Sequence, residues 1–122
     1  MTAPVLLAIG LLGGAGAVAR YGVDAAVTAR AGRGFPPLGI LVVNLSGALL
    51  LGLLVGATVH GDAYRLVATG LLGSYTTFST WMFDTRRLAA GGRRSAAAVN
   101  VAASLALGLL AVWLGRELGQ AL

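Results

Sequence analysis

Residues 38 to 59 read LGILVVNLSGALLLGLLVGATV, and no charged side chain interrupts these 22 positions. An α-helix rises about 1.5 Å per residue, so the stretch spans about 33 Å as a helix. That length is sufficient to cross the hydrocarbon core of a bilayer. The stretch therefore predicts a membrane-spanning helix.

Three further apolar runs flank this stretch, and loops rich in Gly, Pro and Arg separate them. The predicted helices cover approximately residues 4–29, 38–59, 65–88 and 95–114. Four crossings of about 20 residues each use nearly all of the 122 residues,. The sequence thus predicts an all-α protein with four transmembrane helices, organised as one integral membrane domain over residues 1–122.

The composition agrees with a membrane protein and excludes several other classes. Charged residues make up 11% of the chain, whereas a soluble domain needs a surface with roughly 25–35%. The chain has no Cys, which excludes disulfides and thiolate metal sites,. Its positive charge comes from nine Arg, which lie at the ends of apolar runs and fit lipid headgroups better than nucleic acid,. One His and no nucleophile beside a base argue against an enzyme,.

Small residues recur at helix-contact spacing in the first two runs. Such residues allow membrane helices to approach closely. We expect a packing role for six glycines, namely Gly10, Gly13, Gly14, Gly16, Gly52 and Gly56.

The third run, over residues 65–88, is rich in Gly, Ser and Thr around positions 73–77, near the predicted bilayer midplane. Gly and Thr form helices weakly, and non-helical backbone at this depth persists only in a protein interior or beside a polar cavity. A break here would free carbonyl oxygens that suit a hard cation such as Na⁺. An unbroken helix, in which Ser and Thr bond back to the preceding turn, explains the spacing equally well.

Three motifs resemble the CrcB, or Fluc, fluoride channel family. Residues 73–81 read GSYTTFSTW, close to the family signature of about GGxTTFSTF. Residues 13–17, GGAGA, lead to Arg20 and Tyr21 and resemble the first-helix motif of the family. Residues 41–47, LVVNLSG, resemble its second-helix motif. The order of the motifs and the length of the chain agree with the family from end to end.

The resemblance implies a fluoride-selective channel that exports fluoride down its electrochemical gradient and so lowers cytoplasmic fluoride. It implies an antiparallel dimer of subunits with two pores, in the cell membrane. It also implies a structural sodium ion at the centre, held by main-chain oxygens of Gly73 and Thr76 from both subunits.

The resemblance assigns pore residues on three helices. The Asn44 amide offers two N–H donors to fluoride, although an intramembrane Asn is also common as a contact between helices. Ring edges, which carry partial positive charge, come from Phe78 and Trp81. Hydroxyl groups come from Thr80 and Ser104.

Two residues at or near the expected pore positions depart from the family pattern. Trp81 stands where phenylalanine is usual, and it brings an N–H donor and a larger ring. Asn100 stands where tyrosine is usual. Phe83 is a candidate to replace the missing phenylalanine. Arg20 either attracts anions or anchors the first helix at the interface.

The arginines are distributed unevenly between the two predicted sides. Seven lie on one side, namely Arg20, Arg30, Arg33, Arg86, Arg87, Arg93 and Arg94, and two lie on the other, Arg65 and Arg116. The positive-inside rule places the seven in the cytoplasm. This bias predicts a partner subunit that is a homologue of opposite orientation. A homodimer remains the alternative if Arg20 does not count as a loop residue.

Two other functions compete with the channel. A small proton-coupled multidrug exporter also has four short helices, but it needs an intramembrane carboxylate, and the four acids here lie at or near predicted helix ends. A non-conducting accessory subunit would use the polar residues of the third run only as contacts between helices.

Overall fold

The computed structural model describes residues 1–122, and all of its regular structure is helical. The elements in chain order are α1 (Ala3–Ala31), α2 (Leu38–Gly56), α3 (Gly61–Tyr64), a π-helix (Arg65–Leu72), α4 (Gly73–Tyr75), α5 (Ser79–Ala90) and α6 (Arg94–Gln120). The prediction of an all-α fold is confirmed.

Three helices, α1, α2 and α6, are long and apolar enough to cross a membrane. Their most apolar stretches have mean hydropathies of 1.6, 2.4 and 2.0 respectively. Large apolar side chains point outward from them: Leu11 on α1 is 69% exposed and Leu109 on α6 is 72% exposed. A surface of this kind is unfavourable in water and favourable in lipid. The chain is a membrane protein.

The most extensive packing in the molecule joins α2 to α6. Gly52 on α2 lies against the carbonyl oxygen of Val112, and Gly115 on α6 lies against the carbonyl oxygen of Leu49, so that a Cβ at either glycine would overlap the oxygen. The same arrangement recurs one turn further along each helix, at Gly56 and Gly119. The glycines therefore permit direct backbone contact between the two helices.

The predicted packing role of the α1 glycines applies to only part of that helix. Gly16 is buried against the main chain of Leu71 and the hydroxyl of Ser74. Gly10 and Gly14 lie on the exposed side of α1, where a Cβ would meet no atom of the chain within 4 Å. For these two glycines, packing within the chain is not observed.

Two helices end three or more residues away from the predicted C-terminus. α2 ends at Gly56 rather than at Val59, because Thr58 takes a left-handed backbone conformation with φ 57°, which a right-handed helix cannot contain. α6 continues to Gln120 rather than stopping at Leu114, because Gly115 and the following turn pack on α2.

The third apolar run contains several short elements. Helical structure begins at Gly61, earlier than predicted, and passes into the π-helix before α4 ends at Tyr75. Thr76 is then extended, with φ −78° and ψ 158°, and α5 begins at Ser79. The π-helix and α4 pack mainly on α1, whereas α5 packs mainly on α6. The two halves of the run thus belong to different helix pairs.

Candidate functional site

The segment between α4 and α5 leaves the helical hydrogen-bonding pattern. In an α-helix, the N–H of Thr77 would donate to the carbonyl oxygen of Gly73. It donates instead to Oδ1 of Asn44, at 2.9 Å. The N–H of Thr80, which in a helix would donate to the carbonyl oxygen of Thr76, is likewise diverted, to the hydroxyl of Thr77. No backbone N–H of the chain therefore donates to the carbonyl oxygens of Gly73 and Thr76. Main-chain carbonyl oxygens without a hydrogen-bond partner are hard ligands of the kind that bind alkali cations.

Asn44 on α2 binds the main chain of Thr77 at two points. Its Oδ1 accepts from the N–H of Thr77 at 2.9 Å, and its Nδ2 donates to the carbonyl oxygen of Thr77 at 2.9 Å. Two polar backbone groups that the interrupted helix leaves unpaired are thereby satisfied, as groups buried in an apolar medium must be. One Nδ2 hydrogen is used in this way, and the other makes no hydrogen bond within the chain.

The neighbouring positions of α2 also hold the interrupted segment. The methyl group of Thr76 lies against Gly47, where a Cβ would overlap it. The hydroxyl groups of Ser46 and Tyr75 are 2.9 Å apart and share a hydrogen bond. α2 therefore contacts the chain over Tyr75, Thr76 and Thr77 in succession.

Thr77 caps the start of α5 with its side chain. Its Oγ1 accepts from the N–H of Thr80 at 3.2 Å, and the side chain is buried, with 7% of the residue exposed. The same hydroxyl lies 3.2 Å from Oγ1 of Thr80 and 3.3 Å from Oγ of Ser79. Such a cap satisfies one of the free N–H groups of a helix start. Three hydroxyl groups therefore gather at the positive end of the α5 dipole.

The two aromatic residues predicted to line the pore, Phe78 and Trp81, contact each other. The ring centroids of Phe78 and Trp81 are 5.7 Å apart at 84°, an edge-to-face arrangement. Phe78 is 69% exposed on the surface of the chain. Phe83 does not join this pair, since it is exposed elsewhere on α5 with the Arg87 guanidinium 5.8 Å from its ring centroid.

A small cavity of about 40 Å³ lies between α2, α5 and α6. Its polar lining residues are Asn44, Trp81, Asn100 and Ser104. A water molecule needs about 10–15 Å³ of such space, so the cavity is large enough for a small ion. The structure thus brings together three predicted pore residues from three helices.

A larger cavity of about 680 Å³ opens at the arginine-rich end of the molecule. Its charged and hydroxyl-bearing lining residues include Asp24, Thr28, Arg33, Thr80, Asp84, Arg87 and Arg93. Thr80 links this arginine-side cavity to the start of α5. Arg20 is half-buried on α1, outside the lining, and forms no ion pair.

Comparison with known proteins identifies the family. Residues 7–116 match the family described as CrcB-like protein, Camphor Resistance (CrcB). The chain belongs to the CrcB family.

Similar proteins in this family have nearly the same length. The Fluoride-specific ion channel FluC 2 of Mycolicibacterium paratuberculosis (strain ATCC BAA-968 / K-10) is 48% identical over 119 residues, which cover 98% of this chain and 97% of the relative. FluC 2 of Mycobacterium tuberculosis (strain ATCC 25618 / H37Rv) is 43% identical, over 98% of this chain and 94% of the relative. FluC 1 of Symbiobacterium thermophilum (strain DSM 24528 / JCM 14929 / IAM 14863 / T) is 46% identical, over 91% and 94%. These relatives are channels and not enzymes.

Two features of this CrcB chain were not predicted from its sequence. The pairing of Asn44 with Thr77 joins residues 33 positions apart. The buried Asn100 is hydrogen-bonded to both Trp81 and Thr85. The signal that could have indicated both is the cost of an unpaired amide in lipid, which requires each intramembrane Asn to have a partner.

Proposed function

We propose that this chain is a subunit of a fluoride-specific ion channel that exports fluoride from the cytoplasm down its electrochemical gradient. The observation that carries the proposal is 48% identity to a FluC channel over 98% of the chain. The geometry supports it, since the residues matching the family signature lie where the third run leaves its helix, and two of them, Thr80 and Trp81, line the two cavities. The proposed location is the cell membrane, where the subunit is a multi-pass protein.

In the proposed topology the chain crosses the membrane four times. α1, α2 and α6 are the first, second and fourth crossings. Residues 61–90 form the third crossing, which is interrupted at Thr76–Phe78. The charge distribution orients it, with the seven-arginine side in the cytoplasm. The arginine-side cavity would then be the cytoplasmic entrance.

Fluoride is strongly hydrated, so a pore must replace its water with hydrogen-bond donors. A full positive charge in the pore would trap the ion. The second N–H of Asn44 and the Ser104 hydroxyl are such donors in the small cavity. Thr80 is a further hydroxyl donor, in the lining of the arginine-side cavity. The edges of the Phe78 and Trp81 rings attract an anion weakly, which permits release.

The direct test is fluoride flux from liposomes that contain the chain purified together with its oppositely oriented homologue, measured with a fluoride-selective electrode. We expect fluoride efflux without chloride efflux, and slower efflux for Ser104→Ala than for the exposed control Ser95→Ala. Proton-driven drug efflux without fluoride flux would establish the exporter. A folded chain that conducts neither alone nor with a homologue would establish the accessory subunit.

We also propose that two subunits form an antiparallel dimer around a structural sodium ion. Gly73 and Thr76 would hold the ion through their main-chain oxygens, both of which lack donors within the chain. Gly73 is exposed on the surface of the chain, as a site shared by two subunits requires. The ion would supply fixed positive charge at the centre and join the interrupted segments.

Sodium dependence can be measured on the dimer itself. We expect replacement of Na⁺ by N-methylglucamine to lower the thermal stability of the dimer and to stop fluoride flux, and Na⁺ to restore both. Unchanged stability and flux after exhaustive Na⁺ removal would refute the sodium site and leave the channel proposal intact.

The partner in this dimer is proposed to be a homologue of opposite orientation. Seven arginines on one side and two on the other favour a single orientation for this chain,. Relatives named FluC 1 and FluC 2 occur together in Symbiobacterium thermophilum. Fluoride flux from a purified homodimer would show that the alternative, a homodimer, is the working unit.

A further inference from the structure

A set of three side chains connects α5 to α6 beside the small cavity. Asn100 Nδ2 donates to Thr85 Oγ1 at 2.9 Å, and Thr85 Oγ1 donates to the carbonyl oxygen of Trp81 at 2.8 Å. The indole N–H of Trp81 in turn donates to the carbonyl oxygen of Asn100, at 3.4 Å. The three residues thus form a closed set of hydrogen bonds between the two helices.

The set is shielded from the surroundings. Asn100 is 5% exposed, and Thr85 and Trp81 are half-buried. An amide at such a site is costly to leave unpaired, so Thr85 supplies a partner that fixes the orientation of the Asn100 side chain. Trp81 and Asn100 are also two of the positions at which this chain departs from the family pattern. The structure shows that they contact each other.

We propose that Thr85 and Asn100 are positioning residues, which keep the indole N–H of Trp81 bonded to the main chain of α6 and leave the indole ring, not its N–H, for the anion. The inference rests on the proposed fluoride channel function. It explains how a tryptophan can replace a ring-edge phenylalanine without adding a strong donor that would hold fluoride. Trp81 then acts as a larger phenylalanine.

Substitutions at these positions should distinguish the contribution of the Trp81 ring to fluoride flux from that of its N–H. We expect Trp81→Ala to slow fluoride flux more than Trp81→Phe does, because phenylalanine keeps a ring edge next to Phe78. We expect Thr85→Val to slow flux by roughly 2–10-fold, the range that corresponds to loss of one net hydrogen bond. Thr85→Ser, which keeps the hydroxyl, should restore it. Thr69→Val, at an exposed threonine on the π-helix, is the matched control.

A spectroscopic measurement tests the hydrogen bond directly. The chain has two tryptophans, so Trp113→Phe, at a position that is 54% exposed on α6, leaves Trp81 as the only indole. In ¹⁵N-labelled Trp113→Phe protein, the indole N–H resonance should change little on addition of sodium fluoride relative to sodium chloride. Adding Thr85→Val should shift that resonance without any fluoride present, and adding Thr69→Val should not.

The outcomes distinguish this inference from the channel proposal. A large fluoride-dependent shift of the Trp81 indole resonance would show that the N–H binds the anion and would overturn the inference. Flux as slow in Trp81→Phe as in Trp81→Ala, with both proteins still folded, would do the same. If no variant and no parent protein conducts fluoride, the channel proposal fails, yet the effect of Thr85→Val on the fluoride-free spectrum still decides whether Thr85 positions the indole.

Discussion

At the scale of single residues, the structure assigns Asn44 a role beyond anion binding. Its amide replaces helical partners for both the N–H and the carbonyl oxygen of Thr77. The backbone groups concerned lie at membrane depth, where water is not available to satisfy them. Asn44 therefore stabilises the interrupted segment and, with its remaining N–H, is the proposed fluoride donor.

The substitution Asn44→Asp preserves the shape of the side chain but removes its donor. The carboxylate would face the carbonyl oxygen of Thr77, and leaving that group unpaired costs about 1–3 kcal/mol. We expect a lower thermal unfolding temperature and a loss of fluoride flux of about tenfold or more, the ratio that 1.4 kcal/mol represents. Ser95→Ala, at an exposed position on α6, is the control. Flux equal to that of the parent chain would contradict the donor role of Asn44, and an unchanged unfolding temperature would contradict its stabilising role.

Thr77 allows a second test at this scale, because its hydroxyl caps α5. Thr77→Val keeps the size of the side chain and removes the cap, which typically costs about 1 kcal/mol. We expect Thr77→Val to lower the thermal unfolding temperature and Thr77→Ser to remain close to the parent chain. Equal destabilisation by both would indicate that packing, and not the hydroxyl, matters at this position.

At the scale of elements, the α2–α6 pair provides the frame on which the site is built. Backbone contact through Gly52, Gly56, Gly115 and Gly119 sets the separation of these helices. Asn44 lies on α2, and both Asn100 and Ser104 lie on α6, so the width of the small cavity depends on this contact. Packing of small residues drives helix association in lipid, where the hydrophobic effect does not.

Gly115→Ala tests this frame with a single methyl group. The new Cβ would overlap the carbonyl oxygen of Leu49, and overpacking of this kind costs about 1–3 kcal/mol. We expect a lower thermal unfolding temperature of the purified protein. Gly108→Ala is a matched control on the same helix, since its Cβ would meet no atom within 4 Å. Similar stability of the two variants would show that α2 and α6 can separate without cost.

At the scale of the whole molecule, the distribution of charge decides how the protein sits in the membrane. The seven arginines of one side include three that line the arginine-side cavity, namely Arg33, Arg87 and Arg93. The exposed apolar surfaces of α1 and α6 contact lipid or the proposed partner. Orientation and assembly are therefore coupled, since an oriented chain needs an oppositely oriented partner for an antiparallel dimer.

The absence of native Cys makes this orientation measurable. We predict that a cysteine at the exposed Ser95 is labelled by an impermeant maleimide only from the cytoplasmic side of cells. A cysteine at the exposed Ala63 should be labelled only from outside. Labelling of each position from both sides would show dual insertion and favour the homodimer.

The apolar runs alone determined that the chain is helical and lies in a membrane. The reason is local, because the hydrocarbon core requires about 20 apolar residues whose backbone bonds are satisfied within the helix. The motifs over residues 13–17, 41–47 and 73–81 likewise identified the family without coordinates. Helix ends were less predictable, since Gly115 resembles a terminator in sequence but packs on Leu49 in space.

Only the tertiary structure decided which polar groups pair with one another. Asn44 lies on α2 and Thr77 in the segment between α4 and α5, and Trp81 and Asn100 lie on α5 and α6. Their hydrogen bonds form because packing brings those helices together, and no spacing along one helix encodes the pairing. A polar group in lipid requires a hydrogen-bond partner, but the arrangement of the helices determines which group that partner is.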